Sequence, residues 1–394
     1  MDCESGLSAA KLTDDLIVEI LCRLPFKSFC RFKCVCKAWL AFSSDPHYCK
    51  KLPKVPTGFF YQNHNNSAIQ FINLSPKDEG IDGTLSFLPQ YEHLKFVDCS
   101  NGLVLCEYRI DSTSADIFSF IVCNPATREW RALPDTQRDP DKFFYTTKLA
   151  FDPSWSPYFY VFNFQHDRFL DGFARGVSQV EMFSSCHWTW LVDDLWDPEN
   201  DEIVVCSAGS HVFLGSFLHV DTLEHGSLVL EELETVRIGI PPSRWTIKSP
   251  LQKFDSIVDR FGCLGQSSGI LHYAAPEKDG RTVLVWSYDA CGPDRWTVKH
   301  RLSMRDAFGR DNFVHYDDVC WDWFCDYLIS AVDLERELLF LFDYKAKKLL
   351  SYGISTGRLT EIQGGHHWYK YYVACYSKLP APEPGIHDDE YMMQ

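Results

Sequence analysis

The sequence predicts a small α-helical module followed by an all-β domain, an irregular β-propeller of about six blades. Three observations predict it. Apolar residues recur at helical spacing near the start of the chain, runs rich in aromatic and β-branched residues fill most of the rest, and those runs repeat with a shared turn signature. Composition agrees: 45% hydrophobic and 23% charged residues are those of globular protein, and 15% aromatics favour sheet. With 394 residues there is room for a small module and one or two larger domains.

The helical module lies in LTDDLIVEILCRLPFKSFCRFKCVCKAWLAF, residues 12–42. Leu16, Ile17, Ile20, Leu21 and Leu24 share one helix face, opened by Thr13 or Asp14 as cap and closed by Pro25. Phe29, Phe32, Val35, Cys36, Trp39 and Leu40 then resume helical spacing, with Lys27, Arg31, Lys33 and Lys37 interleaved. Two or three such helices bury too little apolar surface to stand alone, so part of this ridge faces a partner. Residues 1–51 hold eight Lys/Arg and six Asp/Glu, whereas the rest of the chain carries a net −18 of the total −16. An apolar ridge with a basic flank docks on an acidic protein.

LxDDLIxEILxRLPxKSxxRFKxVCKxW resembles the F-box, especially its plant form. The resemblance places the module at residues 8–50 and implies packing on the Skp-type adaptor of a cullin-RING ubiquitin ligase. The implied adaptor-binding residues are Leu12, Leu16, Ile20, Leu21, Leu24, Pro25, Val35, Cys36 and Trp39. Thr13 stands where the family usually has Pro; either residue suits the start of a helix.

Residues 51–96 read as a connector and first strands: Pro53 and Pro56 punctuate it, Gly58 to Tyr61 reads as a strand, and Asn63 to Ser67 and Ser75 to Gly83 read as loops. The β domain is expected over residues 97–381. Its first unit is SNGLVLCEYR followed by IFSFIVCNPATREWRALP. Asn124 to Trp130, Ser184 to Trp190 and Asp343 to Leu349 each set a turn former six positions before a large apolar residue. Residues 283–302 share this shape with a longer turn ending in Trp296, while GSFLHVDT and SGILHYAAP resemble SNGLVLCEY. The period of roughly 45 to 50 residues is that of four-stranded propeller blades, and a Trp after the turn can wedge between successive sheets. The domain is also similar to the kelch-like domain that follows plant F-boxes, although the kelch double glycine is missing, which keeps a β-sandwich as the alternative. YYVACYSKL reads as a last strand able to close the ring against an early blade, before a disordered acidic tail at 382–394.

The chemistry of enzymes is hard to find here. Cys34-x-Cys36 lacks a second pair at metal spacing, Cys320 and Cys325 read as buried strand residues, and the adjacent His366 and His367 would point to opposite faces of a strand. Asp193-Asp194 and Asp317-Asp318 read as solvated turn carboxylates, and no phosphate loop, GxSxG or HExxH occurs. No metal, no cofactor and no catalytic residue is expected. The acidity argues against nucleic acid, and the absence of a long apolar run argues against a membrane partner and a secretory signal. Sixteen cysteines scattered singly through apolar segments read as free thiols of a cytoplasmic or nuclear protein.

The expected function is therefore recognition: a non-catalytic substrate-recognition subunit of an SCF-type ligase, with an unknown target protein held on propeller loops. Candidate target-binding residues are Arg168, Phe169, Phe173, Arg175, Arg244, Trp245, Arg305, Arg310 and His315, because arginines and aromatics on loops anchor interfaces. The alternatives are a ligand- or glycan-binding propeller and an adaptor-bound scaffold. A deep apolar pocket would favour the ligand receptor and an arginine- and aromatic-rich face the protein-capturing subunit.

Overall fold

The computed structural model describes residues 13–21, 23–24, 28, 31, 55–63, 68–75, 81–109, 118–136, 143–168, 174–192, 203–205, 207, 209–222, 226–231, 244–248, 262–289, 296–317, 322–365 and 368–381. Helix α1 spans Asp14–Leu21. It opens at Thr13, whose carbonyl accepts the Ile17 N–H at 3.0 Å, and a tight turn from the Leu24 N–H to the Leu21 carbonyl follows it. Val18 and Leu21 are buried on its inner face, whereas Leu16 and Ile20, one turn apart, are 52% and 46% exposed.

Every other described element but two is a strand. The chain first lays down β1 (Thr57–Tyr61) and β2 (Gln70–Asn73), then, after a single 3-10 turn at Tyr91–His93, five four-stranded meanders. The first is β3 (Leu94–Ser100), β4 (Leu103–Arg109), β5 (Phe118–Asn124) and β6 (Glu129–Ala132). The second is β7 (Phe143–Phe151), β8 (Phe159–Arg168), β9 (Ala174–Ser184) and β10 (Thr189–Val192). The third is β11 (His211–Leu214), β12 (Phe217–Thr222), β13 (Gly226–Glu231) and β14 (Arg244–Lys248). The fourth is β15 (Cys263–Ser267), β16 (Ile270–Pro276), β17 (Thr282–Tyr288) and β18 (Trp296–Ser303). Helix α2 (Met304–Phe308) and a small hairpin, β19 (Val314–Asp317) with β20 (Asp322–Cys325), precede the fifth: β21 (Tyr327–Asp333), β22 (Leu338–Asp343), β23 (Lys348–Gly353) and β24 (Leu359–Gly364). The last strand, β25 (Lys370–Val373), returns to pair with β1, giving the three-stranded sheet β2-β1-β25.

The inner strands β3, β7, β11, β15, β21 and β25 neighbour one another in a closed ring. Six hydrophobic cores lie between the six pairs of adjacent sheets, for example Leu105, Phe120, Leu149 and Phe183 between the first two meanders and Phe59, Tyr369, Ala331 and Phe340 where the three-stranded sheet meets the fifth. No single sheet covers both its faces, so each is stabilised by the next around the circle. The result is a β-propeller of five four-stranded blades closed by a three-stranded sixth, in agreement with the expected architecture; its irregularity is the short closing blade.

The expected turn signature is real but serves two places. Asn124 and Ser184 close loops between the third and fourth strands of their blades, whereas Asp343 closes one between the second and third, so its hairpin projects from the opposite end. The local chemistry is shared: the Asn124 and Asp343 side chains accept the N–H groups of Ala126 and Lys345, each at 3.0 Å. Trp190 wedges between sheets as expected, with its ring 6.1 Å from Phe120 of the preceding blade, but Trp130 remains 36% exposed. Asn101 and Gly102, with φ of 41° and 93°, make the hairpin turn in SNGL, where a Cβ on Gly102 would lie 2.4 Å from the Cys375 backbone nitrogen. Cys106, Cys123 and Cys263 are free and buried, and burial pushes the thiols of Cys106 and Cys263 up to about 12. No described helix is long and apolar enough to cross a membrane.

Candidate functional site

The inner strands begin at one end of the ring, here the lower, and finish at the upper. Second-to-third strand loops and blade-to-blade connections therefore gather at the lower end, and first-to-second and third-to-fourth loops at the upper. A cavity of about 1800 Å³ runs along the axis and is lined by all six inner strands. Its two mouths differ. At the upper mouth the lining is mostly polar and includes Ser100, Asn101, Ser154, Ser267, Asp333, Glu335 and Arg336. At the lower mouth it is aromatic: Tyr108, Phe144, Tyr145, Tyr344 and Trp368 line the same cavity. Phe144, Tyr344 and Trp368 are 37%, 37% and 42% exposed.

Halfway along, a buried polar centre joins four blades. Asp98 of β3 accepts the Leu149 N–H of β7 at 3.0 Å, lies 3.3 Å from His211 Nε2 of β11 and 3.6 Å from Lys370 Nζ of β25. Lys148 is buried and donates to the carbonyls of Ser207 and Gly209 at 2.9 and 2.8 Å. Burial alone would raise the Asp98 carboxyl, but His211, Lys370, Lys148 and the Leu149 N–H hold it below the usual range. Burial lowers His211 to about 4, so at neutral pH its Nε2–H donates to the Leu149 carbonyl at 2.8 Å and the positive charge facing Asp98 is that of the two lysines. Burial likewise lowers His219 to about 4 and raises the Asp221 carboxyl to about 8, the latter offset in part by Lys148 and the Thr222 N–H. Asp98 with His211, Lys370 and the Leu149 N–H ties four blades together at this centre.

The residues expected to bind a target fall at both ends. Arg168 ends β8 and Arg175 lies in β9, flanking a lower loop, and Arg305 and Arg310 follow β18 at the same end. Arg244 and Trp245 begin β14, which starts at the upper end. Arg310 lies 3.1 Å from Asp343, and its guanidinium sits 4.8 and 5.1 Å from the Phe308 and Phe313 rings. Arg305 pairs with Asp311 at 2.6 Å on the surface, and His315 Nδ1 lies 2.7 Å from Asp326. Phe169 and Phe173 lie outside the described residues, as do Cys34, Cys320, His366, His367, Asp193, Asp194 and Asp318. Phe144, Tyr344 and Trp368 were not among the expected residues. Their signal was weak: Phe144 lies inside β7, Tyr344 stands between Asp343 and Lys345 and Trp368 follows two histidines, and only the ring closure brings them to one mouth.

Of the expected adaptor residues, Leu16 and Ile20 are exposed, Leu24 is half-buried and Leu21 is buried beneath them; Leu12, Pro25, Val35, Cys36 and Trp39 lie outside the described residues. Residues 10–51 match the family described as the F-box domain. The chain carries an N-terminal F-box and a C-terminal β domain. Its F-box begins just ahead of α1, so the exposed Leu16 and Ile20 belong to it. Relatives carry the same module: F-box protein At5g07610 of Arabidopsis thaliana is 26% identical over 202 residues, 47% of each chain. An Arabidopsis thaliana F-box/kelch-repeat protein, At3g17280, is 32% identical over 188 residues, 45% of each chain. The chain spans about half the length of the curated relatives it matches. Among solved structures, a chain of a nidogen/laminin complex aligns with 82% of this chain and 99% of its own at 11% identity and a TM-score of 0.41, so the fold assignment rests on the strand order instead.

Proposed function

We propose that this F-box protein is a substrate-recognition subunit of an SCF-type cullin-RING ubiquitin ligase. The F-box would bind the Skp-type adaptor, and through it cullin and the RING protein, while the propeller holds a target protein. The observation that carries the reading is the F-box match over residues 10–51, with Leu16 and Ile20 left facing outward. A subunit of this kind is non-catalytic: by holding target lysines near a ubiquitin-charged enzyme it raises their effective concentration, and it needs no reactive residue of its own. Such a complex would work in the cytoplasm or nucleus. The axial cavity of about 1800 Å³ exceeds the roughly 300–1,000 Å³ of small-molecule sites, which favours capture of a protein segment over a ligand receptor.

Co-purification with a Skp-type adaptor tests the reading. Leu16→Arg with Ile20→Arg should weaken adaptor binding at least about 100-fold, near 3 kcal/mol, since two leucine-sized side chains lose their burial against the partner. Both residues are exposed in the chain alone, so the β domain's unfolding curve should not move. Unchanged adaptor binding by the double variant, or none by the wild type, would overturn the reading.

A further inference from the structure

The buried centre of the ring holds more positive than negative charge. Its charged and titratable members are Asp98, Lys148, His211, Asp221 and Lys370, joined by the thiols of Cys99 and Cys263. At neutral pH burial keeps His211 and Asp221 uncharged, with pKa values of about 4 and about 8, and the two thiols keep their protons. Lys148 and Lys370 therefore face one carboxylate, that of Asp98, and one positive charge is left over. Lys148 is satisfied by the carbonyls of Ser207 and Gly209. Lys370 is not: its Nζ lies 3.6 Å from Asp98 Oδ1, beyond hydrogen-bond reach, and donates to no described residue. Its side chain is 23% exposed and lines the axial cavity. Ser330 of β21, the inner strand next to β25, lines the cavity too, and its Oγ has no hydrogen-bond partner among the described residues.

An ammonium group drawn out of bulk water without an acceptor is unfavourable, and a bound anion offsets the loss. The charge at the centre limits which anion. One excess positive charge suits a monoanion; a phosphate would bring a second negative charge against Asp98 with no further cation to meet it. A carboxylate also offers two acceptor oxygens, to an ammonium and to a hydroxyl. The other carboxylates of the cavity are paired, hydrogen-bonded or at its rims. Glu107 is held by Lys95 at 2.9 Å, Asp333 by Arg336 at 2.7 Å, and Asp152 accepts the Ser154 and Gly215 N–H groups at 3.0 and 3.4 Å. Glu92 and Glu335 stand exposed at the two mouths, where water and salt screen them. We infer that the middle of the axial cavity is a carboxylate-binding site, with the Lys370 ammonium as its cation. A small organic acid and the end of a peptide chain entering by either mouth bring the same group to Lys370. The site goes beyond the ligase reading and stands without it.

The test is saturation-transfer NMR on the full chain at neutral pH, in chloride at physiological ionic strength, with acetate, tetraglycine and tetraglycine amide as probes. Acetate and tetraglycine should bind with a millimolar Kd, and the amide, which lacks the carboxylate, should not. Lys370→Gln should weaken both acids at least about tenfold, whereas Lys370→Arg, which keeps the cation, should stay within about threefold. Asp98→Asn removes the facing negative charge and should tighten both at least about threefold, a gain that misfolding does not imitate. Lys95→Gln, at a lysine of the same lining that Glu107 holds, should change nothing. Thermal unfolding shows that each variant is folded; if Lys370→Gln is not, Lys370→Arg and Asp98→Asn carry the test. Tetraglycine bound more tightly than acetate identifies a chain end as the ligand, and the reverse a small acid. Absence of binding by both acids, equal binding of the amide, undiminished binding by Lys370→Gln, no gain with Asp98→Asn, or loss on Lys95→Gln would overturn the inference.

Discussion

Asp98 shows how a single carboxylate can hold a ring shut. It is 1% exposed and touches groups from three other inner strands, so removing it leaves Lys370 and Lys148 facing a low-dielectric interior without their counter-charge. Asp98→Ala should cost about 3–5 kcal/mol of unfolding free energy, measured by urea titration, with Asp98→Asn milder because it keeps an acceptor for the Leu149 N–H. His219 makes a second prediction. Its pKa falls from the usual 6.5 to about 4 on folding, so between those values the unfolded chain takes up a proton that the folded chain refuses, and stability falls as pH falls. At pH 5 this costs about 2 kcal/mol. Asp221 acts in the opposite direction, being neutral in the folded chain up to about pH 8, so its contribution strengthens on acidification. The readout is therefore a difference: His219→Gln should lose about 2 kcal/mol less than the wild type between pH 7 and pH 5. Equal losses would mean that His219 is not held neutral by burial.

At the scale of elements, closure depends on β25. Tyr372 of that strand is buried in the core shared with the first meander, Tyr371 packs half-buried against the one shared with the fifth, and the Ala374 N–H donates to the Pro56 carbonyl at 2.9 Å. A chain ending at residue 369 should lose cooperative unfolding or fall by more than about 10 °C in Tm, whereas one ending at residue 381 should match the full chain. The sequence made this strand and the hairpins legible because their signals are local: a turn former whose side chain satisfies its own backbone, flanked by alternating apolar residues. The place of each hairpin in the ring was not legible. Asp343 and Asn124 look alike over seven residues yet point to opposite ends, because the sequence does not mark which strand of a blade comes first. The surroundings of Arg310 were not legible for a related reason: Asp343, 33 residues away in sequence, and two phenylalanines lie against its guanidinium.

For the whole molecule, the F-box was legible because its pattern is confined to one short stretch, residues 10–51. The aromatic lower mouth of the cavity was not, since Phe144, Tyr344 and Trp368 come from distant parts of the chain and only the circular strand order gathers them. The proposed function makes the F-box the joint to a ligase, and the most direct measurement is assembly of the full chain with a Skp-type adaptor, cullin and RING protein, followed by gel filtration. The account predicts one complex, which Leu16→Arg with Ile20→Arg weakens at least about 100-fold. A double variant that assembles at the wild-type strength would contradict it.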